Sequence, residues 1–284
     1  MKDNWSLLRH KLGDFLKRPA KKGQSFVELA LILPILIVML LGIAEVSMFI
    51  GRYLDLLDLT REAAREASID DPFALEVGVP SNQVTTLIGE KDCSAADNSQ
   101  VNFFYKAACY FSPPSDGVCQ NAKFCRGFNR YVDFDLSEDD VVISAYTISG
   151  NTIQQVWPGP NSPGHASYWA LSTDGGLTYK DKNGAVQQVQ ADRWKYDCQG
   201  NPTGSTAPYY TQALVQSQIN PNYSAPPNNG YVAVEVYYCY HQVLAIPIFN
   251  FIPNPLRIHA FTLMPLPNGQ PTDVPQSTPT SPSP

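Results

Sequence analysis

Lys21-Lys22-Gly23-Gln24-Ser25-Phe26-Val27-Glu28 leads without a break into LALILPILIVMLLGIAEVSMFI, residues 29–50. That run holds one ionisable residue, Glu45. A helix rising about 1.5 Å per residue over this length can cross a hydrocarbon core of about 30 Å. A secretory signal peptide has a shorter apolar region, about 7–15 residues, with a small-residue cut site soon after it. Here the run is longer, and Ile50-Gly51-Arg52-Tyr53 is a poor site. The sequence therefore predicts a retained transmembrane helix.

Charge orients that helix. Lys2, Arg9, Lys11, Lys17, Arg18, Lys21 and Lys22 precede it, against Asp3 and Asp14, a net +5. The whole chain carries −6, so the residues after Lys22 sum to −11. Excess Lys and Arg mark the cytoplasmic side. The expectation is a single-pass protein of the cytoplasmic (inner) membrane, with its N-terminus inside and its bulk outside. An acidic bulk argues against nucleic acid as a partner. Residues 52–68, RYLDLLDLTREAAREAS, continue the helix with no Gly or Pro. Arg61-Glu62 and Arg65-Glu66 recur at a spacing of four, on one face. Asp70-Asp71-Pro72 ends it. A helix from about Ser25 to Ser68 is part membrane-buried and part amphipathic, a shape that packs sideways against copies of itself.

The polar residues of this helix are the candidates for function. A basic cluster, a glycine, and a glutamate at the edge of a span form the pattern that a prepilin-type peptidase cuts. Such a peptidase needs unhindered backbone at the scissile bond, which Gly23 supplies. Lys22 and its neighbours hold the leader at the cytoplasmic face. Lys22, Gly23 and Gln24 are then elements of another enzyme's substrate and are not catalytic. A cut behind Gly23 gives Gln24 a new amine. Glu28, one turn on, can pair with the amine of a neighbouring subunit in low dielectric, and the dipole of a helix starting nearby favours it there. An interfacial glutamate at a helix start is the bland alternative; Gly23 and the basic flank weigh against it. Glu45 lies deeper, three residues after Gly42. A carboxylate there is costly unless paired. It faces another helix or a partner's Arg, or it reaches water at the outer interface; both readings stay open. Pro34 removes one helical hydrogen bond and can kink the span, although membrane helices tolerate this.

These residues resemble a family. Residues 23–67, GQSFVELALILPILIVMLLGIAEVSMFIGRYLDLLDLTREAAREA, are similar to the N-terminal signature of TadE/TadG-like pilus-assembly proteins, minor pseudopilins of the tight-adherence (Flp-type) pilus system. The matching positions are Gly23, Glu28, Pro34, Gly42 with Glu45, and the helix carrying Arg61 and Arg65. A second, weaker match is YVAVEVYYCYHQVLAIPIFNF with LRIHAFTLMPL, near the C-terminus. The family often closes its last strand with Met-Arg and an acidic residue, whereas here Pro265 follows Met264. The resemblance implies a filament-associated subunit. Its partners would be a prepilin-type peptidase, the membrane, and other pilins and pilus-assembly proteins met through the helix.

After the span the chain reads as a secreted domain. Cys93, Cys109, Cys119, Cys125, Cys198 and Cys239 all lie beyond it, where disulfides persist. Six cysteines allow fifteen pairings. The first four cluster, which leaves Cys198 and Cys239 as a candidate third pair. No Cys-x-x-Cys occurs, and His165, His241 and His259 lack ligand spacing, so no metal or other cofactor is expected. Strand-like runs are 101–105, 141–148, 231–240 and 258–264; in the third, Val232, Val234, Val236 and Tyr238 share one face. Residues 209–219 suggest a short helix. Ser172-Thr173-Asp174-Gly175-Gly176-Leu177-Thr178-Tyr179 looks like a structural Asp-box, with an Asp-Gly pair suited to a tight turn. Asp139-Asp140 reads as the solvated start of a strand. Trp157, Tyr168, Trp169, Trp194, Tyr209, Tyr210 and Tyr223 read chiefly as core, with an interface as the alternative.

The expected fold is α+β: a long N-terminal transmembrane and amphipathic helix, followed by a disulfide-containing, antiparallel β-rich extracytoplasmic head. The expected divisions are a basic cytoplasmic leader (1–23), the helix (24–70), the external domain (71–264) and a disordered Pro/Ser/Thr-rich tail (265–284). The function that follows is a minor pilin or pseudopilin taking part in pilus assembly or adhesion. The alternative is an unprocessed anchor displaying a binding domain. An enzyme is not expected, since no nucleophile elbow, phosphate loop or HExxH occurs. A glycosidase would need no such motif.

Overall fold

A computed structural model describes residues 21–70, 72, 92–93, 101–114, 124, 127–158, 167–173, 178–180, 183–204, 207–219, 225–244 and 252–267. The side chains of residues 21–25, 155, 180 and 225–229 lie outside this description, as do the leader before Lys21 and the tail after Pro267. The chain divides into two units. One is Met1–Met48 with Val243–Phe251; the other is Phe49–Gln242 with Ile252–Pro284.

Both units draw on one helix, α1 (Lys21–Ile69), which runs on through Pro34 and stops where Asp70 begins the predicted terminator. In the first unit its large apolar side chains, among them Phe26, Leu31, Ile35, Met39 and Leu40, stand exposed. Its mean hydropathy reaches 2.8 over eighteen residues, long and apolar enough to cross a membrane.

In the second unit the same helix is a core element. Leu56, Leu59, Ala63, Ala64 and Ala67 recur at spacings of three and four, as a buried helical stripe must. They join a cluster with Val141, Ile143, Val232, Val234, Val236 and Ile258 of the sheet. This stripe faces the chain's own head. Lys106 pairs with Asp70 at 2.7 Å, and the Tyr110 hydroxyl donates to Glu66 at 3.2 Å.

The sheet is antiparallel, with β1 (Asp140–Gly150), β2 (Thr152–Trp157), β3 (Trp169–Ala170), β6 (Ala225–Tyr240) and β7 (Leu256–Leu266) in the order β2-β1-β6-β7. The short β3 pairs the first half of β1, and β2 the second half. Ile143 faces Val234, which faces Thr262 across β7. The expected strands at 141–148, 231–240 and 258–264 lie inside β1, β6 and β7. Both faces of the two central strands are covered. Val232, Val234 and Val236 turn towards the helix cluster, while Ala233 joins Tyr146, Ile148, Tyr210 and Val215 on the far side. The short helix α3 (Gln212–Gln218) contributes Val215 there, and the Thr211 hydroxyl caps it by accepting the Leu214 amide. A separate hairpin pairs β4 (Thr178–Lys180) with β5 (Val186–Gln188). The run read as an Asp-box supplies a turn of 3-10 helix (Leu171–Thr173) and part of β4; its Asp174-Gly175 lies outside the described residues.

One expected strand is a helix. Residues 103–108 form α2 (Phe103–Ala108), because the Asn102 side chain accepts the Phe104 amide at 2.9 Å and caps it. The aromatic run Phe-Phe-Tyr suggested a strand, and the cap decides otherwise. Disulfides join Cys93 to Cys109 and Cys198 to Cys239, each across a Cα separation of 5.6 Å. Cys119 and Cys125 lie outside the described residues.

Three carboxylates are built into the head. Asp139 and Asp140, expected in solvent, are 2% and 0% exposed. Asp139 accepts the amides of Asp135 (2.7 Å) and Cys239 (2.8 Å), tying the start of β1 to the end of β6. Asp140 accepts the Val141 amide at 2.8 Å and the Ser172 amide and hydroxyl. Burial raises both acids, Asp139 well above the usual carboxylate range and Asp140 to about 7, against the hydrogen bonds that favour their charged forms. Glu235, on β6, accepts the amides of Tyr209 (3.0 Å) and Tyr210 (2.8 Å) and the Tyr237 hydroxyl at 2.8 Å, and lies 3.0 Å from His259 Nε2. Each of these three buried carboxylates thus finds donors, as a dry interior requires.

Two outcomes follow for the head. At Gly230 an added Cβ would meet the Tyr146 carbonyl oxygen at 2.3 Å. Gly230→Ala should therefore cost about 1–3 kcal/mol, read as a lower denaturation midpoint in detergent. Asp140 titrates near 3.9 when unfolded and near 7 when folded. The folded head holds the extra proton between those values, so this contribution is complete below about pH 4 and is lost as pH rises through about 7. Relative to Asp140→Asn, the unchanged chain should lose thermal stability across that window; a constant difference would contradict it.

Candidate functional site on the N-terminal helix

The residues singled out in the sequence fall along the first unit's part of α1. Lys21, Lys22, Gly23 and Gln24 form its first turn, so the backbone around Gly23 is helical. Glycine costs about 1 kcal/mol relative to alanine inside a helix, which makes this turn the easiest to open. Glu28 lies one turn after Gln24 and is exposed. Pro34 sits within the continuous helix.

Gly42 and Glu45 are buried among exposed apolar neighbours such as Ile43 and Val46. Being three apart, they share a face. The Glu45 side chain, 8% exposed, accepts the Val243 amide on Oε1 at 3.0 Å and the Leu244 amide on Oε2 at 2.8 Å. The partner read for this carboxylate was another helix, a foreign Arg, or water. The structure adds a fourth kind, the chain's own backbone about two hundred residues away. No side-chain signal marks Val243 and Leu244, because amides are present at every non-proline position. Ser47 closes its own account by donating to the Ile43 carbonyl at 2.7 Å.

The outer half of the helix carries exposed pairs, Arg61 with Asp58 (3.2 Å) and Arg65 with Glu62 (3.1 Å). Such surface pairs contribute about 1 kcal/mol at most. Arg52 donates to the Tyr131 carbonyl and fixes the helix to a loop of the head.

Elsewhere the aromatic residues are mostly core. Trp157, Trp169, Trp194 and Tyr210 are buried, Tyr168 is half-buried, and Tyr223 lies outside the described residues. Tyr209 is exposed and stacks on Phe261 at 5.0 Å. Among the described residues, no three His, Cys, Asp or Glu side chains come together as a metal site. The arrangement near the sheet offers hydrogen-bond acceptors to backbone amides, and what it does chemically is brace loops.

A search of the curated proteins finds no significant match, and a search of the solved structures finds none. One family model does match: TadE-like protein, over residues 23–65. The match opens on Gly23, takes in Glu28, Pro34, Gly42 and Glu45, and closes on Arg65. Gly23 to Arg65 is therefore a TadE-like segment.

Proposed function

We propose that this chain is a minor pilin or pseudopilin-like subunit that takes part in pilus assembly or adhesion. A prepilin-type peptidase cuts it behind Gly23. It then waits in the cytoplasmic membrane with its head outside, and its partners are other pilins and assembly proteins that pack on the helix. The head presents a surface and performs no catalysis. The observation that carries the reading is the TadE-like segment itself, which begins at the glycine and places Glu28 one turn after Gln24 on an exposed apolar helix. In this reading Gly42 allows close packing on the face it shares with Glu45, and Pro34 loosens the helix between its two ends. The division into leader (1–23), helix (24–70), external domain (71–264) and tail (265–284) belongs to the same proposal.

Glu28 supplies the pairing energy. A new amine on Gln24 of one subunit meets Glu28 of the next where little water competes. Taken into hydrocarbon without that amine, the carboxylate is costly. The second reading, an unprocessed anchor displaying a binding domain, is favoured by one observation: the bond after Gly23 lies within helical backbone, which a peptidase must first unwind.

Glu28→Ala should leave membrane insertion intact and lower incorporation into filaments by more than about tenfold, the factor that 1.4 kcal/mol sets. Insertion is read by fractionation and incorporation by immunoblotting of sheared filaments. Unchanged incorporation would remove the pairing role and favour the anchor.

A further inference from the structure

The tie at Glu45 has a depth. Glu28 stands at the inner edge of the apolar run, and Glu45 follows seventeen residues later. At about 1.5 Å per residue that is about 25 Å, inside a hydrocarbon core of about 30 Å. Whatever hydrogen-bonds to Glu45 lies at that depth too. Val243 and Leu244 do so with their backbone amides at 3.0 and 2.8 Å. Both also turn apolar side chains outward: Val243 is 63% exposed and Leu244 38%. On the helix at this level Ile43, Val46 and Ile50 are exposed in the same way.

We propose that the chain touches the bilayer twice: the segment at Val243-Leu244 enters the outer leaflet beside the helix, docked on Glu45, with lipid acyl chains covering its side chains. This rests on the reading of α1 as a membrane span. Two costs cancel at the docking point. Non-helical backbone at membrane depth is tolerated only where protein covers it, as Glu45 covers the Val243 and Leu244 amides. A carboxylate there is tolerated only where donors surround it. Each supplies what the other lacks. The sequence around the tie suits lipid: residues 243–248 read VLAIPI, without a charge. By contrast, Gln242 and His241 precede it as β6 ends. The carboxylate at position 45 is then a positioning residue that holds a second membrane contact.

The test uses the full chain in liposomes of phosphatidylethanolamine and phosphatidylglycerol, with its disulfides oxidised. A nitroxide is placed by Val243→Cys, by Val46→Cys on the helix, and by Val186→Cys on the exposed β5 strand. Relaxation by lipid-soluble oxygen is compared with relaxation by a water-soluble nickel chelate. The expected result is that positions 243 and 46 both favour oxygen several-fold, while 186 favours nickel. A label at 243 that behaves like 186, with 46 still in lipid, overturns the second contact and leaves the span standing. A label at 46 that favours nickel overturns the span and the inference with it. With Glu45→Ala added, the label at 243 should shift towards nickel while 46 is unchanged; an unmoved label overturns the docking role of Glu45.

Discussion

The head depends on one helix whose two stretches carry opposite surfaces, apolar side chains exposed before Phe49 and buried beyond it. Beyond Phe49 its stripe of Leu56, Ala63, Ala64 and Ala67 is buried with the β-sheet. Fully burying a leucine contributes about 1.5–3 kcal/mol, and alanines let the sheet approach closely. Before Phe49 the same helix exposes leucine and isoleucine on nearly all sides. That run is long and apolar enough to cross a bilayer. The head is therefore built around the helix and is more than cargo at its end.

The buried carboxylates serve the same economy of satisfied groups. Glu45 serves amides of a distant loop, Asp139 the end of β6, Asp140 the turn at Ser172, and Glu235 the chain at Tyr209 and Tyr210. At Glu45 and Glu235 an acid on a regular element secures the backbone of an irregular one, while Asp139, just before β1, secures the end of β6. Irregular segments leave amides unpaired, and a buried carboxylate can accept two or more of them. This explains why acids occur in a core that composition alone would have kept apolar. It also makes these residues braces in the first instance, with no chemistry required of them.

How much was legible in the sequence depended on whether the signal was local. The helix was plain, because residues 29–50 carry one charge and residues 52–68 lack breakers. The strands β6 and β7 were plain through their β-branched and aromatic runs. The helix at Phe103 was not, because one cap residue outweighed an aromatic pattern that favours strands. Asp139 and Asp140 were placed in solvent because a pair of acids reads as surface until its donors are known, and those come from Cys239 and Ser172, far along the chain. The Glu45 tie was illegible for the same reason. Its acceptor was visible as an unusual charge, while its donors were ordinary amides. The direction of the stripe on residues 52–68 was also open, since periodicity gives a face and does not say what covers it.

The central claim is that this TadE-like segment is a processed subunit that packs through its helix. It is tested most directly by the N-terminus of the protein recovered from membranes of cells with a working prepilin-type peptidase, by intact mass or terminal sequencing. The account predicts a chain beginning at Gln24. A chain still carrying Met1 and the basic leader would contradict it and leave a tethered external domain.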